Sequence, residues 1–164
     1  MQLDRSRLIA LAAGLAAVGL GLWFWPRQAQ TPEDRIRHQV ERMAEAAGTR
    51  DLGFILEQIS EQFSGQGGAD KAQLKGILAA QMFRGEWVEV VPLDLEVTLE
   101  SDTQATFSGK FLFARKAGQD LAAAAEAGSL TGYRIDATLV READGEWRFR
   151  TAQHGRLGGA DLFP

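Results

Sequence analysis

Chemistry in this 164-residue chain would have to run through very few groups: two histidines, His38 and His154, a single tyrosine, Tyr133, and no cysteine. Abstracting a proton beside a carbonyl needs a base within reach of the substrate and a donor for the developing oxyanion. Tyr133 is such a donor, and His154 or a loop acid is the base that could partner it. Strand alternation separates them. Tyr133 shares parity with Ile135, Ala137 and Leu139, whereas His154 shares parity with Arg148 and Arg150, on the polar side. Asp94, Glu96 and Asp136 also fall on polar parities, where a carboxylate is simply hydrated. His38 lies between Arg37 and Gln39, off the apolar stripe of its helix, and reads as solvated.

Other chemistries are excluded more directly. Without cysteine there is no thiolate nucleophile, no thiolate metal ligand and no disulfide. Two separated histidines lack ligand-spaced partners, so no metal is expected, and nothing calls for a cofactor. Gly65-Gln66-Gly67-Gly68 lacks the lysine and preceding strand of a phosphate loop and reads as a turn. The formal charge of −4 argues against nucleic acid as a partner. Arg134, Arg148 and Arg150 form a basic row, but Asp136, Glu142 and Glu146 share its face and compensate it.

The elements that must position these groups follow from periodicity. Thr31-Pro32-Glu33-Asp34 starts a helix, with Thr31 as N-cap, Pro32 in the first turn and acids at the positive end. Ile36, Val40, Met43 and Ala47 share one face of it, and Gly48 is the expected stop. Asp51 opens a second helix, with Leu52, Ile55, Leu56, Ile59 and Phe63 on one stripe. Asp70 and Gln73 form a capping box for a third, with Leu74, Ile77, Leu78 and Met82 inward and an end near Gly85. From Trp87 the period becomes two. Leu93, Leu95, Val97 and Leu99 alternate with polar residues; so do Ala105, Phe107, Gly109, Phe111 and Phe113, then Tyr133, Ile135, Ala137 and Leu139, then Trp147, Phe149 and Thr151.

Parity fixes the turns. A three-residue loop Ala143-Asp144-Gly145 sets Leu139 opposite Phe149, with Gly145 left-handed. The preceding hairpin sets Val97 opposite Phe107, Leu95 opposite Gly109, and Asp94 beside Lys110 on the wet face. Gly109 removes volume from the middle of the sheet and leaves two readings open, an apolar cavity or a space filled by a large ring such as Trp87 or Phe83. Ala117 to Ala125 reads as a loop with a short helical turn, a crossover or a cover for the mouth of a cavity.

Ahead of this domain, Leu8 to Trp25 is an apolar run without a charge. As a helix it would be about 27 Å long, close to the hydrocarbon thickness of a bilayer. Trp23 and Trp25 suit a headgroup region, and Arg5 and Arg7 favour a cytoplasmic N-terminus. The alternative, a cleaved signal peptide, is disfavoured because Pro26 to Gln30 offers no small-x-small site. Ala13, Ala17 and Gly21, spaced by four, would let two such helices approach, so a homodimer stays open.

Two stretches carry a resemblance. Arg50-Asp51-Leu52 through Ile59-Ser60-Glu61-Gln62-Phe63, and Tyr133-Arg134-Ile135 through Asp144-Gly145-Glu146-Trp147-Arg148, resemble the opening and close of uncharacterised bacterial SnoaL-like members of the nuclear transport factor 2-like superfamily. The likeness implies an α+β cone: three N-terminal helices packed on a curved antiparallel sheet, preceded here by one transmembrane helix. The expected division is 1-7 cytoplasmic, 8-25 anchor, 26-31 linker, 32-155 domain and 156-164 tail. Phe83, Trp87, Phe107, Phe111, Tyr133 and Trp147 are the expected lining of an apolar cavity, with no catalytic residue among them. The function expected is a non-catalytic interaction or apolar-ligand-binding domain at the bacterial inner membrane, single-pass, with its C-terminal domain periplasmic. Its partners would be the membrane, a membrane protein or an apolar small molecule. The alternative is an isomerase, dehydratase or cyclase acting on a hydrophobic molecule.

Overall fold

A computed structural model describes residues 30–84, 89–114 and 130–158. Helix α1 (Pro32–Thr49) starts as its sequence dictates, with the Thr31 hydroxyl accepting from the Asp34 N–H at 3.2 Å. It runs past Gly48. The turn of the chain falls at Arg50, which adopts φ 62° and donates its N–H to the carbonyls of Ala46 and Ala47, so the orphaned last turn is satisfied two residues later than a stop at Gly48 would place it.

Helix α2 (Leu52–Glu57) is short, and here the expectation of a helix reaching Phe63 fails. Ile59–Gly65 is instead a strand, β1, with Ile59 and Phe63 buried. The reason is arithmetical: residues four apart share a side in both a helix and a strand, so the Ile59/Phe63 spacing did not discriminate. Backbone pairing decides it, since the Phe149 N–H donates to the Gln58 carbonyl at 2.9 Å and Ile59 pairs with Phe149. A 3₁₀ turn, Gln66–Gly68, leads to helix α3 (Lys71–Arg84). Its capping box is reciprocal: the Gln73 N–H donates to Asp70 at 2.8 Å and the Asp70 N–H to Gln73 at 3.1 Å. Leu74 packs on the core, but Ile77, expected inward, is 53% exposed. At 3.6 residues per turn Ile77 stands about 60° to one side of Leu74, on the flank of the covered arc.

Four long strands follow: β2 (Glu89–Ser101), β3 (Gln104–Ala114), β4 (Leu130–Arg141) and β5 (Trp147–Arg156). The sheet order is β1-β5-β4-β3-β2. Because β1 runs parallel to β5 while the other pairs are antiparallel, the sheet is mixed and five-stranded rather than purely antiparallel. Leu139 faces Phe149 and Val97 faces Phe107, as parity requires, and Gly145 has φ 84° in the β4–β5 turn.

Two bulges change which side chains share a face. In β2, Leu93 pairs with Lys110 and Glu96 with Ser108, so Asp94 and Leu95 together oppose Gly109, with Asp94 at φ 49°. Leu93 is thereby turned to the outer face, where it and Val91 pack on Leu112, Ala114 and Leu130, correcting its expected inward position. In β5, Thr138 pairs with Thr151 but Leu139 with Phe149, so Arg150 is the extra residue. Beyond it the faces exchange. Thr151 lies on the outer face, its hydroxyl 2.7 Å from that of Thr138, while Ala152, His154 and Arg156 stand on the inner face opposite Ala137, Ile135 and Tyr133.

The inner face carries the core. Ile36 and Val40 of α1 meet Val97, Phe107, Leu139, Trp147 and Phe149, and Gln39 donates to the Trp147 carbonyl at 2.9 Å. Gly109 holds no cavity, since a Cβ there would lie 2.8 Å from both Leu95 Cδ2 and Phe107 Cζ; these two side chains occupy the space. Trp87, the side chain of Phe83 and the Ala117–Ala125 stretch lie outside the described residues, as does the Leu8–Trp25 segment. Among the described residues no helix is long and apolar enough to cross a membrane.

Candidate functional site

The β5 bulge assembles a site that alternation alone had taken apart. Tyr133 sits on β4 with its ring 5.6 Å from Phe113 of β3, edge to face, and 5.9 Å from the His154 imidazole of β5. Edge-to-face pairing at these distances is favourable because the positive edge of one ring meets the negative face of the next. The three rings form a row across three neighbouring strands. His154 is therefore on the inner face with Tyr133, against the expectation that it points out with Arg148 and Arg150. The sequence held one hint: apolar Phe149 and Ala152 are three apart, a spacing that uninterrupted alternation cannot place on one side.

Cover falls off along this row. Phe111 is buried, Phe113, Tyr133 and Ile135 are half-buried, and His154 and Arg156 are exposed. Arg156 pairs with Tyr133 across the β4–β5 ladder and so projects from the same face. The His154 backbone N–H donates to Gln66 at 3.3 Å, which ties the strand to the turn after β1. Of the residues expected to line a cavity, Phe111 and Tyr133 belong to this end. Phe107 and Trp147 lie instead in the packed core, with Phe107 6.0 Å from Phe149, edge to face.

The outer side has a second polar cluster of different character. Arg148 reaches Glu142 at 2.7 Å, both carboxylate oxygens of Asp144 at 3.0 and 2.6 Å, and the Glu57 carbonyl at 3.1 Å. The side-chain hydrogen bond from Arg148, helped by the Glu146 N–H, lowers the Asp144 carboxyl from the ordinary 3.8 to about 2. These contacts occupy the guanidinium fork, and they fix the β4–β5 turn against the end of α2. Arg134 is paired likewise, with Asp136 at 3.3 Å. Lys110 reaches Asp94 at 2.9 Å, the wet-face pair that parity predicts. No group of histidines and acids among the described residues could hold a metal ion.

No protein-family model matches the chain, and no curated protein matches it significantly. Solved structures do. A nuclear transport factor 2-like protein of unknown function from Pseudomonas putida superposes with a TM-score of 0.60 at 17% identity, covering 75% of this chain and 84% of that one. A ketosteroid isomerase-like protein from Erwinia carotovora atroseptica gives 0.55 at 13% identity, over 75% and 94%. A nuclear transport factor 2-like protein of unknown function in nutrient uptake from Rhodospirillum rubrum gives 0.55 at 15% identity, over 75% and 98%. The described domain therefore has the nuclear transport factor 2-like fold that the sequence resembles. At these identities the likeness fixes the fold and leaves the function to the site.

Proposed function

We propose that this chain, built on the nuclear transport factor 2-like fold, is a membrane-tethered, non-catalytic domain that binds an apolar small molecule. The observation that carries the reading is the half-covered aromatic row Phe113–Tyr133–His154 beside Phe111 and Ile135, on a face whose other end is fully packed. Apolar walls with a few polar groups at one edge are the usual make-up of a small-molecule site. Among the described residues no acid stands on this face beside Tyr133 and His154, which supports binding over proton transfer. The Leu8–Trp25 run supports a tether, and Arg5 and Arg7 support a domain on the outer side of a bacterial inner membrane. Confinement there would concentrate the domain near a membrane-protein partner. Ala13, Ala17 and Gly21 would allow pairing of two anchors.

A second reading has one observation in its favour. The contact between Tyr133 and His154 sets an oxyanion donor beside a base, as an isomerase or dehydratase of a hydrophobic ketone requires. One experiment separates the two: the full-length chain is mixed with 1-tetralone in D₂O, and binding and α-proton exchange are both followed. The binding reading predicts saturable binding with exchange at the buffer rate. Protein-dependent exchange that Tyr133→Phe abolishes supports the enzyme, and absence of saturable binding contradicts both.

A further inference from the structure

We propose that the open end of the inner face selects amphiphiles ending in a carboxylate, with Arg156, His154 and Tyr133 gripping the anion and Phe111, Phe113 and Ile135 covering the apolar body. The inference rests on the ligand-binding reading above and adds to it the chemical class of the ligand.

Residues directly opposite across an antiparallel ladder have Cβ atoms about 5 Å apart and project from the same side. The pairs Tyr133–Arg156 and Ile135–His154 therefore bring a hydroxyl, a guanidinium and an imidazole to one edge of the apolar floor. His154 and Arg156 alternate on the same side of β5, about 7 Å apart along the strand, the separation at which one carboxylate or its bridging water can reach both.

Charge gives the ligand its sign. Elsewhere the arginines of the sheet have partners: Arg148 is held by Glu142 and Asp144, Arg134 by Asp136, Arg141 by the Gly145 carbonyl and Arg150 by the Gln62 side-chain carbonyl. Arg156 has no ion-pair or hydrogen-bond partner among the described residues, and the inner-face positions of β4 that neighbour it are Thr131, Tyr133 and Ile135, none of them acidic. A guanidinium presents a planar donor fork that fits a carboxylate on two bonds, and a bond to a charged acceptor is roughly twice as strong as a neutral one. A ligand that lies along Phe113 and Ile135 and ends in a carboxylate uses both halves of this surface. An uncharged ligand of the same shape uses only the apolar half.

Two matched probes test this, 2-naphthoate and its neutral isostere 2-naphthamide, measured by equilibrium dialysis against the full-length chain at pH 7. The expected result is a preference of about tenfold for the acid, shrinking as salt is raised because the cations are exposed. Arg156→Gln is expected to abolish the preference, with an unaltered circular-dichroism spectrum reporting that the variant is folded; Arg156→Glu is expected to reverse it. Equal affinity for the two probes in the wild type overturns the anion selectivity, and a preference that survives Arg156→Gln overturns Arg156 as its source; in either case the apolar-ligand reading stands. No saturable binding of either probe overturns both.

Discussion

Near the β4–β5 turn, the inner face of the sheet is solid: Leu139 and Ile36 are 0% exposed, and Phe107, Trp147 and Phe149 close around them. Toward the far end of the same strands Phe113, Tyr133 and Ile135 are only half-covered, and His154 and Arg156 reach water. Both ends are built from the same strands by the same alternation, and the contrast arises from what meets them. Ile36 and Val40 of α1 pack into the first end. At the second, the bulge at Arg150 brings Ala152, His154 and Arg156 to the inner face in place of the Thr151, Gln153 and Gly155 that unbroken alternation would have supplied. Full burial serves stability, because each apolar group there is removed from water on folding. Partial burial leaves apolar area that a ligand can still remove from water.

Mutation can sharpen or break that contrast. Leu139→Ala should cost about 2–5 kcal/mol in a denaturant titration, since it deletes fully buried methyl groups and leaves a cavity. Ile135→Ala should cost about 1 kcal/mol, because that side chain is only partly buried and less transfer energy is lost. Equal losses at the two sites would erase the distinction between a stabilising end and a binding end.

A smaller effect is expected from acid. Asp144 has its carboxyl lowered from 3.8 to about 2, chiefly by the Arg148 hydrogen bond. A depressed folded-state value means that this contribution is complete above the unfolded value near 3.8 and is lost as pH falls through about 2. Asp144→Asn should therefore flatten the acid dependence of stability between those limits while leaving ligand binding unaltered, as followed by thermal melts across that range. A change in binding would show that the outer polar cluster and the inner site are coupled.

Much of the fold could be read from residue order. The Thr31 cap, the Asp70–Gln73 box, the left-handed Gly145 and the Leu139–Phe149 register all follow from local chemistry. What escaped were features whose signal is ambiguous by construction. Ile59 and Phe63 suit either period, and so concealed β1. Val90-Val91-Pro92-Leu93 is apolar without alternation, so nothing in it marks where the β2 bulge turns Leu93 outward. The site suffered most. One extra residue at Arg150 reverses the side taken by every later position of β5, which is how His154 came to face Tyr133 when simple parity set them apart.

The most direct test of the account uses one isoleucine packed at each end of the inner face. Isoleucine δ1-methyl NMR of the full-length chain, titrated with 1-tetralone, should shift Ile135 saturably while Ile36, sealed between α1 and the sheet, stays in place. A titration that leaves Ile135 unmoved, or that moves Ile36 as far, would contradict a ligand site at the open end of the sheet.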